Sequence, residues 1–159
     1  MKKFFVFLLV ATTLVSCKES ASNKTVKTAD IKFTKEGELT LSKADGTTIA
    51  TLNIEFAETN YERETGLMYR KSMDNNQAML FIFDSSLPRS FYMRNTYIPL
   101  DIIYLDEHKK IVSIQENAQP LNEEGLPSEK PAMYVLEVNA GLTAKWSLEA
   151  GDRMTFQKL

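Results

Sequence analysis

The chain has little of the chemistry on which most catalytic and metal sites depend. Its 159 residues include one cysteine, Cys17, and one histidine, His108. A single cysteine cannot form an intramolecular disulfide, and one histidine in a charged turn has no further ligands at metal-binding spacing. No serine, cysteine or histidine stands in an arrangement typical of a nucleophile. The sequence therefore predicts no resident metal and no cofactor, and it predicts a fold that depends on its apolar core.

Long apolar runs are also scarce. The apolar stretch at 4–14 is too short to span a bilayer and follows two lysines, so we expect residues 1–16 to be a signal peptide. Residues 14–17 resemble the bacterial lipobox, in which cleavage precedes a cysteine that then carries lipid. This resemblance implies that a lipid on Cys17 anchors the protein to a membrane that it does not span. Because Lys18 stands where aspartate would favour the inner membrane, we expect an outer-membrane lipoprotein of the cell envelope.

Positive charge is not in excess. The formal net charge is −2 at pH 7, and removal of Lys2 and Lys3 with the signal peptide makes it −4. An acidic chain without a basic cluster does not attract nucleic acid. Residues 17–29 are polar and have the composition of a flexible tether, which leaves residues 30–159 as one domain. We expect this domain to be a monomer.

Short apolar runs separated by turn residues predict an α+β fold that is mostly β. We expect a compact antiparallel sheet or a barrel-like sandwich with one or two short helices. The Asp-Gly pair at 45–46 predicts a hairpin, and the following strand alternates so that Glu55 should face water. Capping-box spacing at Thr59 predicts a short helix that ends at Gly66, and Asn139 is expected to cap a second one.

The segment 91–105 combines aromatic, basic, amide and acidic side chains around a turn. Its second half, 100–105, is almost continuously apolar and predicts a strand that is buried on both faces. Asp101 interrupts that strand. A buried carboxylate needs a partner, so we expect it to contact a cation such as Arg94 or Arg70, or backbone donors at a turn.

Several motifs resemble those of the DUF192 family, also called UPF0127. They are GLMYR at 66–70, MLF at 79–81, FYMRNT at 91–96, IPLDII at 98–103, VLEVNAG at 135–141 and GD at 151–152. The likeness covers residues 50–157, with Tyr92 where the family usually has tryptophan and Ala78 where it often has glycine. The resemblance implies a compact, mostly antiparallel β domain with one or two short helices. It implies no particular reaction.

Six residues of these motifs are candidates for a ligand-binding site or a structural ion network: Arg70, Tyr92, Arg94, Asn95, Asp101 and Glu137. Arginine and amide groups suit a small anionic or partly apolar ligand, which favours a module that binds a small molecule or an envelope partner. Alternatively, the arginines and carboxylates join strands as a buried ion network. A third interpretation is an enzyme acting on envelope or carbohydrate material, with Asp101 and Glu137 as acid and base.

The methionines permit a further alternative. Thioethers are soft ligands that bind Cu(I), although methionine more often fills gaps in apolar cores. Four methionines stand beside aromatic residues in the motif-bearing segments: Met68, Met79, Met93 and Met133. A methionine-based copper-handling protein is therefore a second alternative to the binding module.

Overall fold

The computed structural model describes residues 31–159, which contain nine strands and two short helices. In chain order they are β1 (Gly37–Ser42), β2 (Thr48–Ala57), α1 (Asn60–Thr65), β3 (Gln77–Leu87), β4 (Ser90–Phe91), β5 (Leu100–Leu105), β6 (Ile111–Ala118), β7 (Leu126–Pro127), β8 (Ala132–Asn139), α2 (Leu142–Lys145) and β9 (Arg153–Lys158). The predicted signal peptide, the lipidation of Cys17 and the tether up to residue 29 lie outside the described residues.

Seven of the strands form one sheet, in the order β6-β5-β8-β3-β2-β1-β9, and β4 pairs with β7 in a second, two-stranded sheet. The prediction of a mostly β, α+β fold is confirmed. Not every pair is antiparallel, however, because β2 and β3 run parallel and are joined by a connection that contains α1. The sheet curls until one bridge forms between Lys110 and Arg153, but it does not close into a barrel.

Both faces of the large sheet are covered, and this determines which residues are buried. On β5, Ile103 and Leu105 point into one apolar core, whereas Leu100, Ile102 and Tyr104 point into the other. All six residues of β5 are buried, as its nearly continuous apolar sequence predicted. The first core lies under β1, β2 and α2, and the second contains the side chains that form the candidate site described below.

The local signals for the hairpin and the first helix are confirmed. The loop between β1 and β2 is closed by a hydrogen bond from the Lys43 amide to the Thr47 carbonyl at 2.8 Å. At α1, the Thr59 hydroxyl accepts from the amide of Glu62 at 3.2 Å, and the Glu62 carboxylate accepts from the amide of Thr59 at 2.9 Å. Gly66, with φ of +47°, ends the helix.

The prediction that Asn139 caps the second helix is wrong. The residue before α2 is Gly141, in a left-handed conformation, which has no side chain to cap the helix. Asn139 is still part of β8, and its amide donates to the carbonyl of Met73 at 2.7 Å and to the side chain of Asn75 at 2.9 Å. Between residues 31 and 159, neither helix is long and apolar enough to cross a membrane.

Candidate functional site

The structure separates Asp101 from the arginines that were expected to pair with it. Asp101 is completely buried. One of its oxygens accepts from the Asn117 amide at 2.8 Å, and the other accepts from the amide and hydroxyl of Thr143 at 3.0 and 2.7 Å. Two backbone amides, as in the second of the two predicted arrangements, and the Thr143 hydroxyl therefore satisfy this carboxylate, but the donors belong to β6 and α2 rather than to a turn. The expected ion network that includes Asp101 and Arg94 is not formed.

Tyr92, Arg94 and Asn95 lie on the surface loop after β4. The exposed guanidinium of Arg94 lies 5.0 Å from the centroid of the Tyr92 ring and donates to its hydroxyl at 3.1 Å. Asn95 has a φ of +57°, and its amide donates to the hydroxyl of Tyr69 at 2.8 Å. Arg94 thus contacts Tyr92 and forms no ion pair with a buried carboxylate of residues 31–159.

Arg70 forms an ion pair that the sequence did not indicate. Its guanidinium contacts the carboxylate of Glu55 at 2.6 Å, and both side chains are buried. The alternating pattern of β2 predicted that Glu55 faces water, which is wrong because the second core covers that face of the sheet. Across the strands, Glu55 pairs in register with Met79 of β3, and Met79 pairs with Glu137 of β8. Two acidic residues thus flank one methionine on the same face of three neighbouring strands.

Glu137, the β8 residue of this row, is a buried carboxyl group with a shifted pKa. Only 5% of it is exposed, and it forms no hydrogen bond with any residue in the described part of the chain. Burial raises the pKa of Glu137 to about 8, and the charge of Arg70 only partly offsets this effect. At neutral pH Glu137 is therefore a protonated carboxylic acid, which can donate a hydrogen bond or a proton.

A cleft of about 420 Å³ gives access to Glu137. Aromatic rings form much of its wall: Phe81 and Phe91 meet edge to face with centroids 5.0 Å apart, and Phe83 lies 6.4 Å from Phe91. Tyr92 also lines it. We call this space the aromatic cleft. Of the six predicted residues, the structure places only Tyr92 and Glu137 in its lining.

Two arginines that sequence reasoning missed also line the aromatic cleft. The guanidinium of Arg89 lies 3.7 Å from the centroid of the Phe83 ring, and that of Arg63 lies 5.3 Å from the same centroid. Burial, and next the charge of Arg63, lower the pKa of Arg89 from its usual value. Neither arginine belongs to a motif that we singled out. Arg63 is a helix residue, Arg89 lies in the short connection between β3 and β4, and only the fold brings them together.

A second, smaller cavity of about 220 Å³ lies on the other side of Gly66. Glu55, Arg70 and Met79 line it, and Gly66 and Thr65 line both spaces. The Nε atom of Arg70 is buried and has no hydrogen-bond partner. A side chain at Gly66 would place its Cβ 2.9 Å from the Phe81 ring, so the narrow wall between the two spaces requires glycine.

The four methionines do not form one cluster. Met79 and Met93 belong to the second core, whereas Met133 packs against the first, on the opposite side of the sheet. The sulfur of Met68 lies 4.0 Å from the side-chain amide of Asn95. Within residues 31–159, no three His, Cys, Asp or Glu side chains are grouped so that they could hold a metal ion.

Comparisons with known proteins place these features in a family context. The model of the DUF192 family, described as an uncharacterized group, matches residues 40–156, which include every residue that lines the aromatic cleft. None of the curated proteins matches the chain. Among solved structures, a protein of unknown function from Novosphingobium aromaticivorans is 34% identical with a TM-score of 0.70, over 74% of this chain and 83% of that chain. A protein from Sinorhizobium meliloti, named as a "putative transcription regulator", is 36% identical with a TM-score of 0.74, over 80% of this chain and 98% of that chain.

Proposed function

The chain belongs to the DUF192 family, and we propose that its domain is a binding module that takes a small molecule in the aromatic cleft. The observation that carries this proposal is the cleft itself. Its volume of about 420 Å³ is within the range of small-molecule sites, and its walls combine phenylalanine rings with a few polar groups. Glu137, protonated at neutral pH, adds a hydrogen-bond donor in an apolar setting.

The predicted site residues take different parts in this proposal. Glu137 and Tyr92 contact the ligand, since both line the cleft. Arg70, held by Glu55, contributes a positive charge behind Glu137. Arg94 and Asn95 order the neighbouring loop, and Asp101 stabilises the fold.

A variant that fills the cleft tests the proposal. Ser90 lines the cleft and is exposed, so Ser90→Trp should occupy the space and abolish binding of fragments found by ligand-observed NMR. Thr155→Trp, at an exposed position of β9 at the far edge of the sheet, is the matched control and should keep binding. Equal binding by both variants would place the fragments elsewhere and contradict the proposal.

The domain is proposed to act at the outer membrane, anchored through a lipid on Cys17. The lipobox-like residues 14–17 and the polar segment that follows them support this location. Cys17→Ser should remove the label when cells are grown with a radioactive fatty acid. Unchanged labelling of the variant would refute the anchor. Size-exclusion chromatography with light scattering tests the expected monomer.

An enzyme acting on envelope or carbohydrate material is the second candidate function. The raised pKa of Glu137 favours it, because an acid that keeps its proton near neutral pH suits general acid catalysis. Asp101 is a poor partner for it, since three hydrogen bonds occupy its oxygens, whereas Glu64 lines the cleft and is exposed. Hydrolysis of cell-wall glycans that Glu137→Gln abolishes and Glu123→Gln leaves intact would support this alternative.

The acidic chain offers no support for a role in transcription such as the name of the Sinorhizobium protein suggests for that protein. The formal net charge of −2 repels the phosphate backbone, and the arginines near the cleft are two rather than a broad basic surface.

A further inference from the structure

Arg63 and Arg89 place two positive charges side by side at the aromatic cleft. Both are half-buried and both lie against the Phe83 ring. Neither forms an ion pair with a carboxylate of residues 31–159. Asp84 favours the charged form of Arg89, but less strongly than burial and Arg63 oppose it. Two like charges held together in an otherwise acidic protein repel each other, and a bound anion would relieve that repulsion.

The hydrogen bonds of the two arginines fix their positions without using all their donors. Arg63 donates to the carbonyls of Glu58 and Ile82 and to the side chain of Asn60. Arg89 donates to the carbonyls of Ala132 and Ser85. A guanidinium has five N–H groups, so two of Arg63 and three of Arg89 have no acceptor among the described residues. These acceptors are neutral, and the carboxylates of Glu62 and Asp84 act on the pair through space without forming ion pairs with it.

From this geometry we infer that the aromatic cleft binds an aromatic carboxylic acid, with its carboxylate on Arg63 and Arg89 and its ring among Phe81, Phe83 and Phe91. This inference rests on the proposed function of the cleft and names the class of its ligand. Arginine donors match the planar geometry of a carboxylate, and edge-to-face contacts suit an aromatic ring between phenylalanines. The cleft volume of about 420 Å³ limits the ligand to a small one.

Glu137, which also lines the cleft, determines a second polar group of the ligand. The carboxyl group of Glu137 makes no hydrogen bond within residues 31–159, so once a ligand displaces water from the cleft, its protonated form needs an acceptor from that ligand. A carbonyl or ether oxygen meets that need, whereas a second carboxylate would have to be desolvated beside a buried acid. The ligand is therefore an aromatic carboxylate that also carries a neutral acceptor for Glu137.

Titration calorimetry at pH 6.5 with the full chain in mild detergent tests this inference. The probes are 4-acetylbenzoate and its homologues with one and two methylenes before the carboxylate, each compared with its primary amide. A hydrogen-bonded charge contributes about 1.5–3 kcal/mol, so the best acid should bind at least about tenfold more tightly than its amide. Replacing the acetyl group of that acid by ethyl, which removes the acceptor, should also weaken binding.

Arg89→Gln should remove the preference for acid over amide, and Arg153→Gln, at an exposed position of β9 that does not line the cleft, is the matched control. Arg89 also donates to two backbone carbonyls, so Arg89→Gln could prevent folding. In that case the comparison of acid with amide on the unaltered protein is the test. Equal affinity of acids and amides overturns the inference and leaves the proposed function standing. A second outcome also overturns the inference but not the proposed function. In that outcome none of these probes binds, whereas other neutral or cationic fragments bind the original protein and lose their binding in Ser90→Trp. If no fragment of any charge binds in the cleft, the proposed function fails as well.

Discussion

Replacing Glu137 by glutamine should change how the stability of the domain depends on pH. In the unfolded chain the carboxyl of Glu137 ionises near its ordinary pKa of 4.5, but in the folded protein burial raises this pKa to about 8. Between these two values unfolding releases a proton. The free energy of unfolding must therefore fall as the pH rises through this window, and it should level off above about pH 8.

The size of this change in stability follows from the shift in the pKa of Glu137. One pKa unit corresponds to about 1.36 kcal/mol, so the stability lost between pH 4.5 and pH 8 through Glu137 is on the order of 4 kcal/mol. This is a large part of the total stability of a typical domain, which is about 5–15 kcal/mol. Glutamine has nearly the shape of the protonated acid and carries no charge at any pH. Glu137→Gln should therefore match the original protein near pH 5 and exceed its stability above pH 8.

Urea unfolding at a series of pH values from 5 to 9 measures this difference. The single tryptophan, Trp146, is half-buried and packs against the first core, so its fluorescence should report unfolding. Glu123→Gln removes an exposed carboxylate and should leave the pH profile unchanged. If the profiles of Glu137→Gln and the original protein run parallel over the whole range, Glu137 does not hold its proton, and burial does not raise its pKa.

Three further substitutions test other parts of the structure. Asp101→Asn brings an amide N–H₂ group against the amide of Asn117 or the donors of Thr143 and should cost about 2–4 kcal/mol in urea unfolding. Part of this loss should be absent when Thr143→Val, which removes the hydroxyl but keeps the backbone amide, is already present. Independent losses would contradict the shared hydrogen bonds. Gly66→Ala should lower the melting temperature far more than Gly46→Ala. Both glycines have positive φ, but only at Gly66 would the added Cβ meet a neighbour, the Phe81 ring at 2.9 Å. Equal effects would mean that this close approach is unimportant. Met93→Leu, a volume-conserving change in the second core, should lower the free energy of unfolding by less than about 1.5 kcal/mol. The original protein should show no stoichiometric uptake of Cu(I) in a titration. Tight uptake that Met93→Leu abolishes would restore the copper alternative.

Structural features that depend on residues close together in the chain were predicted correctly from the sequence. The capping box at Thr59, the end of the helix at Gly66 and the hairpin at residues 45–46 each involve residues within a few positions of one another. Their hydrogen bonds and backbone conformations follow from local chemistry, so the rest of the fold does not alter them. The continuous apolar sequence of β5 likewise predicted its burial on both faces, because only a covered sheet accommodates such a strand.

Asp101 shows which part of a contact the sequence could predict and which part only the folded structure supplies. Its position inside an apolar strand required a partner on physical grounds, and the sequence narrowed the choice to a cation or backbone donors. The donors come from Asn117 and Thr143, which are 16 and 42 positions away along the chain. No local pattern marks these residues, since they meet Asp101 only when β6 and α2 are in place.

The cleft was decided by tertiary structure. Amino-acid sequence alone determined a mostly β domain, its main turns and the burial of one acidic residue, Asp101, in an apolar strand. It could not show that a parallel pairing of β2 with β3 buries Glu55 against Arg70, or that Arg63 and Arg89, 26 positions apart, meet on one phenylalanine ring. Strand alternation tells which side chains share a face of a sheet, but not whether another layer covers that face. That depends on how the connections cross the sheet, and so the charged residues of the candidate site acquire their burial, their partners and their chemistry only in the folded chain.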